Sequence, residues 1–223
     1  FNTVVNGGST RDPMSNQGLF MGIRLEGNGI IDSCQTSNNT FQDASIIPQT
    51  QVTGIYAVNA ASATIINSSS DNNTGAETAA GITFFGDLQN ASSCTIQSCS
   101  ASSNGNYGLL IGNPFRKAGI ATSNAEVFDS VFNQNGSAFG DAAGIFIFPG
   151  DVSISNVLIK GCQINDTSSG RANAAGILAV SASNVVIEDT DVFNTRADGA
   201  GHGILFDTLR DSKIIRTQVH GNQ

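Results

Sequence analysis

The chain of 223 residues contains no tryptophan, and only 13 % of its residues are charged. Lys and Arg together number 10 against 18 Asp and Glu, for a formal net charge of −8. Proteins that grip a polyphosphate backbone carry a basic stripe, so an acidic chain without one is not built for nucleic acid. No apolar run approaches the roughly 20 residues of a membrane-spanning helix, and no membrane span is expected. The four cysteines have no partner Cys or His at zinc-site spacing, so neither a metal nor a cofactor is called for. Initiator Met and signal-peptide pattern are both missing at Phe1, and the sequence pattern is under way at both ends. The expectation is one domain over residues 1–223 that is a piece of a longer protein.

What the sequence does contain is a repeat. The clearest copy runs from Ala174 to Thr195, reading AAGILAVSASNVVIEDTDVFNT. It is too short, and too rich in Gly, Ser and Asn, for a packed pair of helices. Seven copies align on Gly22, Gly54, Gly81, Gly108, Gly144, Gly176 and Gly203. The next residues are Ile23, Ile55, Ile82, Leu109, Ile145, Ile177 and Ile204. Two further on stand Leu25, Ala57, Phe84, Ile111, Ile147, Ala179 and Phe206. Period two with one apolar face means a strand with that face buried.

A second column follows at Ile31, Ile65, Ile96, Val127, Ile159, Ile187 and Ile214. Three residues later come small side chains: Cys34, Ser68, Cys99, Ser130, Cys162, Thr190 and Thr217. Two beyond those are Thr36, Ser70, Ala101, Phe132, Ile164, Val192 and Val219. The parity breaks between the last two columns and the central one, which predicts a bend and three short strands per repeat. Phe1 to Gly8 reads as the remains of an earlier repeat, with Val4 in the Ile187 column. The repeat length is uneven and no Leu-rich consensus appears, which excludes a leucine-rich repeat. Strands of constant pattern joined by variable loops give an all-β solenoid of about seven turns, stacked at about 4.8 Å. The longest loops are Thr40 to Thr53, with Ile46, Ile47 and Pro48, and Gly112 to Ala125, with Arg116 and Lys117.

These columns resemble the right-handed single-stranded parallel β-helix of the pectate-lyase-like superfamily over nearly the whole chain. The resemblance implies that the loops wall a groove over the first sheet. It also brings a candidate motif, because Gly201-His202-Gly203 is similar to the Gly-His-Gly element of polygalacturonases. Glycoside hydrolysis needs a pair of carboxylates as well. In that family they come from an Asn-Thr-Asp segment and an Asp-Asp pair upstream. Here the corresponding strands read Gly-Ile-Phe-Ile-Phe at 144–148 and Gly-Ile-Leu-Ala-Val at 176–180, and the family's Arg-Ile-Lys is missing. His202 is the one candidate catalytic residue, and the preferred reading is coincidence with the repeat glycine. A lyase-type site would need a base beside acids that hold a cation. Arg24 with Glu26, and Asp207 with Arg210 and Asp211, are read instead as solvated charge pairs.

Three further patterns carry expectations. Asn39, Asn73, Asn104, Asn135 and Asn222, with Thr167 and Thr195, share a column and predict a stacked amide ladder. The same stretch holds sequons at Asn38, Asn72 and Asn135, read as chance products of composition. Cys34, Cys99 and Cys162 lie in alternate turns, about 9–10 Å apart on the strand spacing. They and Cys94 are expected to be buried free thiols.

The last pattern concerns the outer face of the first sheet. Its outward columns are Arg24, Tyr56, Thr83, Leu110, Phe146, Leu178 and Leu205, then Glu26, Val58, Phe85, Gly112, Phe148, Val180 and Asp207. From the second repeat to the sixth they are largely apolar, and such a patch marks an interface or lies under the protein's own loops. Tyr56, Phe85, Phe146 and Phe148 are the candidate binding residues, for a polysaccharide or for sister subunits as in phage tailspikes. The function expected is a non-catalytic structural or glycan-binding module of a surface, secreted or virion protein. The alternative is a polysaccharide-active enzyme, either hydrolase, lyase or epimerase.

Overall fold

A repeat of about 30 residues with alternating apolar positions has no interior of its own, so each copy must lie on the next. A computed structural model of the chain describes residues 4–6, 19–41, 51–60, 62–75, 78–86, 92–112, 122–138, 140–148 and 154–223. It is a solenoid of seven stacked rungs whose strands all pair in parallel. The first sheet holds seven strands, from Leu19–Glu26 to Gly201–Asp207. The second holds seven, from Gly29–Asp32 to Lys213–Ile215. The third holds eight, from Val4–Asn6 to Gln218–His220. A short fourth ladder, Gly136–Ser137, Ser168–Ser169 and Arg196–Ala197, adds a strand that the sequence pattern did not announce. The register matches the columns, with Ile145 beside Ile177 and Ile147 beside Ala179.

One expected placement is corrected. Val4 does not sit in the Ile187 column. Residues 4–6 pair with Gln35–Ser37, so Val5 lies beside Thr36 in the third sheet. The strand is three residues long, as the other strands of that sheet are. The call on Ile46, Ile47 and Pro48, and that on Arg116 and Lys117, fall outside the described residues.

The bends have a definite conformation. The residue before the small-side-chain column is left-handed in every rung: Ser33, Asn67, Ser98, Asp129, Gly161, Asp189 and Arg216. The same holds before the asparagine column, at Asn38, Asn72, Ser103, Gln134, Asp166, Asn194 and Gly221. A left-handed residue with a Cβ costs about 1–2 kcal/mol, so each corner needs compensation. Backbone bonds between rungs supply part of it, such as Asn67 N–H to the Gln97 carbonyl and Asn72 N–H to the Ser102 carbonyl. Side chains supply the rest. At the first corner the Ser130 hydroxyl donates to the Phe128 carbonyl at 2.7 Å and accepts the Cys99 N–H at 3.1 Å. Ser68 does the same between Ile66 and Cys34.

At the second corner the amide ladder is present. Asn39 Nδ2 donates to Asn73 Oδ1 at 2.6 Å, Asn73 to Asn104 at 2.7 Å, and Asn104 to Asn135 at 3.0 Å. The same carbonyls accept the backbone N–H of Asn73 and Asn104. All four asparagines are essentially closed to solvent. Thr167 and Thr195 interrupt the ladder and leave buried hydroxyls without a hydrogen-bond partner. It resumes where Asn222 Oδ1 accepts the Thr195 N–H.

The core fills the space between the three sheets. Ile55, Ile65, Phe84, Ile96, Ile111, Phe132, Ile145, Ile159 and Ile187 are fully buried there. All four cysteines are free and buried. Burial pushes the thiol of Cys94 up to about 12 and that of Cys162 to about 11, and raises Cys99 too. A thiol held protonated in the fold stabilises it below the unfolded value near 9. That contribution is lost as the pH rises toward 12.

Two outcomes follow from these contacts. Replacing Asn104 by Ala strands the Asn73 amide groups, and the cost expected in urea unfolding is about 2–5 kcal/mol. A loss below about 0.5 kcal/mol means that the ladder contributes little. Native protein at pH 8 is expected to resist thiol-labelling reagents at Cys94, Cys99 and Cys162 until denaturant is added. Rapid labelling without denaturant contradicts their burial.

Candidate functional site on the outer face of the first sheet

The first sheet has a feature that simple alternation hides. In each rung the repeat glycine and the residue after it both face the interior. A Cβ on Gly176 would press into the Val192 side chain and stand 2.6 Å from the Gly203 carbonyl oxygen. At Gly108 it would stand 2.6 Å from the Gly144 carbonyl oxygen and 2.9 Å from the Phe132 ring. These glycines have no left-handed φ, so lack of room requires them. With two successive residues inward, the residue before the glycine turns outward. Ala80, Tyr107, Ala143 and Ala175 therefore join the outer face. His202 stands in register beside Ala175 in that column.

The outer face thus has three columns, and they pack into a second apolar layer. Tyr56, Val58 and Phe85 form one cluster, with Met21 against it. Ala80, Tyr107, Leu110, Ala143 and Phe146 form another, flanked by Phe148, Leu178 and Val180. The Tyr107 and Phe146 rings lie 4.9 Å apart, and those of Phe146 and Phe148 5.4 Å apart, both tilted by about 40° as aromatic pairs prefer. Thr53 and Thr83 share a buried hydroxyl–hydroxyl bond of 3.1 Å within the layer. Burial, helped by the charge of Asp141, pushes the Tyr107 phenol up to about 12.

Each residue singled out by the sequence has a definite place. Tyr56, Phe85 and Phe146 are on the outer face but only 5, 5 and 8 % exposed. Phe148 is half-buried, as are Leu178, Val180 and Leu205. The face is closed over the second to fifth rungs and opens toward the seventh. Its charges stand at the two ends. Arg24 and Glu26 form a 2.7 Å ion pair with side chains 47 and 56 % exposed, the solvated pair expected. Asp207, Arg210 and Asp211 are exposed at the other end. His202 is half-buried in the final rung. The sequon residues Asn38 and Asn72 are exposed, whereas Asn135 is locked in the ladder.

Sequence reasoning missed Tyr107, which anchors the larger outer cluster. Its signal was the glycine column itself, because a repeated glycine before an inward residue marks a close approach and a shift of parity.

Among the described residues, no helix is long and apolar enough to cross a membrane. Neither a curated protein nor a solved structure matches the chain. The family described as the right handed beta helix region matches residues 14–170, which is more than half of the chain. The parallel stacking in three sheets agrees with it, and the chain belongs to the right-handed β-helix family.

Proposed function

We propose that the chain is a non-catalytic structural module of a surface, secreted or virion protein. In this reading the outer face of its first sheet is a packing layer. The observation that supports it is the closed apolar layer of Tyr56, Val58, Phe85, Leu110 and Phe146. Acid–base chemistry on this face needs ionisable side chains within hydrogen-bond reach of a substrate. Over the second to fifth rungs the outer positions hold no carboxylate, His, Lys or Arg among the described residues, and the phenol of Tyr107 is held protonated by burial. A sugar ring stacking on Tyr56, Phe85 or Phe146 would first have to displace whatever shields them. Phe148, at the open edge, is the ring left for such a contact.

His202 belongs to the same reading. It occupies the column of Ala143 and Ala175, beside the repeat glycine, and its place follows from the repeat. Purified protein is expected to release no reducing ends and no unsaturated sugars from neutral or acidic polysaccharides. Cleavage that His202→Ala abolishes while the far-UV spectrum is unchanged contradicts a structural role and restores the hydrolase reading.

The packing layer has a separate consequence for stability. Phe146→Ala removes a ring held between Tyr107 and Phe148, and by the cost of emptying an aromatic site it should destabilise by about 3–5 kcal/mol. Chemical denaturation of the variant checks this. A stability unchanged from wild type, together with lost glycan binding, marks the ring as a ligand platform.

A further inference from the structure

The seventh rung is joined to the sixth differently from the rungs before it. Its second-sheet strand, Lys213–Ile215, has three residues against the seven of Ala182–Glu188 beside it. Its core-column residues Ile214 and Val219 are 49 and 46 % exposed, where their partners Ile187 and Val192 are fully buried. Apolar burial therefore contributes less to holding this part of the rung in place. The first-sheet strand is different, since Gly201–Asp207 keeps seven residues and pairs along Ala174–Val180.

Charge takes over at the first corner. Arg216 occupies the left-handed position that Gly161 and Asp189 hold in the two rungs before, at φ 45°. Asp and Asn offset that conformation with short local hydrogen bonds, which a long guanidinium side chain does not make. Arg216 reaches back one rung instead. Its Nε donates to Asp189 Oδ1 at 2.6 Å and its Nη2 to Asp189 Oδ2 at 2.9 Å, a two-pronged grip on one carboxylate. The same Nη2 also donates to Glu188 Oε1. From the fifth rung Lys160 Nζ stands 3.5 Å from Glu188 Oε1 and 3.8 Å from Asp189 Oδ2. The hydrogen bond from Arg216 holds the Asp189 carboxyl below its ordinary value. A single surface ion pair contributes little, but a bidentate Arg within a network of charges is the arrangement that does contribute.

We propose that Arg216 is an ionic latch, and that residues 213–223 form a flap which it holds over the edge of the sixth rung. Salt releases the latch, because the Debye length falls from about 30 Å at 0.01 M to about 3 Å at 1 M and exposed charges lose their attraction. Release uncovers the strand edges of Ala182–Glu188 and Asp191–Phe193, with Ile187 and Val192 on their inner side. An open edge of this kind is a template for strands of another chain. The latch thus governs access to a strand-pairing surface. The inference does not rest on the packing role of the first sheet, because the latch stands at the corner between the second and third sheets.

Native-state hydrogen exchange at constant pH 7 tests it, so that His220, whose Nε2 lies 3.3 Å from Asp191 Oδ1, keeps one charge state throughout. The Asp189 and Asn194 N–H groups donate to the Ile215 and His220 carbonyls of the flap at 3.1 and 3.2 Å, and the Gln218 N–H donates to the Thr190 carbonyl at 3.0 Å. These amides report flap opening. One rung earlier the Gly161 and Asp166 N–H groups donate to the Glu188 and Phe193 carbonyls in the same way, and serve as controls. From 10 mM to 1 M NaCl the protection of the reporters should fall about tenfold, while that of the controls holds. Arg216→Gln should show the lowered protection already at 10 mM NaCl, with no further response to salt. Asp189→Asn gives a second variant that removes the charge and keeps the corner, because Asn tolerates left-handed backbone, and it should behave alike. Reporter protection that ignores salt, or that is unchanged in both variants, overturns the latch. So does a loss at Gly161 and Asp166 in step with the reporters, which marks general destabilisation instead.

Discussion

The hydrogen bond between rungs is the interaction on which the rest of this molecule depends. A single rung has one to three inward side chains per strand and nothing to cover them. It also has two corners forced into left-handed backbone. Both defects are corrected by the neighbouring rung, which supplies apolar cover in the core and donors or acceptors at the corners. The asparagine column shows the economy of the arrangement, since one side-chain carbonyl satisfies both a backbone and a side-chain N–H of the rung before it. Once the corners are tied in this way, strand register has no freedom left, and the column of each side chain is settled.

That fixed register turns small residues into a structural requirement. The repeat glycines sit where the first sheet comes closest to the third, against Val192, Ile164 and Phe132. They also shift parity, which pushes Tyr107 and its column outward. The outer face thereby gains a third column and enough apolar surface to pack as a layer of its own. A protein with one narrow core between three sheets acquires a second cluster on its outside. The same surface is the natural place for a groove, and Tyr56, Phe85, Leu110 and Phe146 on it are buried.

Much of this was legible in the sequence. The Ile145–Ile147 and Ile177–Ala179 alternation gave the strands, their parallel pairing and their inner face. The Asn39 to Asn135 column gave the ladder, because an amide repeated at one position has a chemical reason to stack. The cysteines were legible as fillers, because alternate rungs are too far apart for a disulfide. Other features were hidden. Val4–Asn6 has too few residues to distinguish a second-sheet strand from a third-sheet one. Tyr107 was missed because strict alternation back from Leu109 puts it on the inner face, and only the shift of parity at Gly108 turns it outward. The outer rings were placed on the correct face, but their burial was not legible, because alternation gives direction and says nothing of cover.

The central claim, that bonds between rungs at the asparagine corner hold the solenoid in register, is open to native-state hydrogen exchange. The account predicts that the backbone amides of Asn73 and Asn104 and the side-chain amides of Asn39, Asn73 and Asn104 exchange only through global unfolding. Their protection should equal that of core amides such as Ile96 and Ile145. Exchange of these asparagine amides at the rate of an unstructured peptide, while the core stays protected, would show that the corners open freely and that the ladder does not set the register.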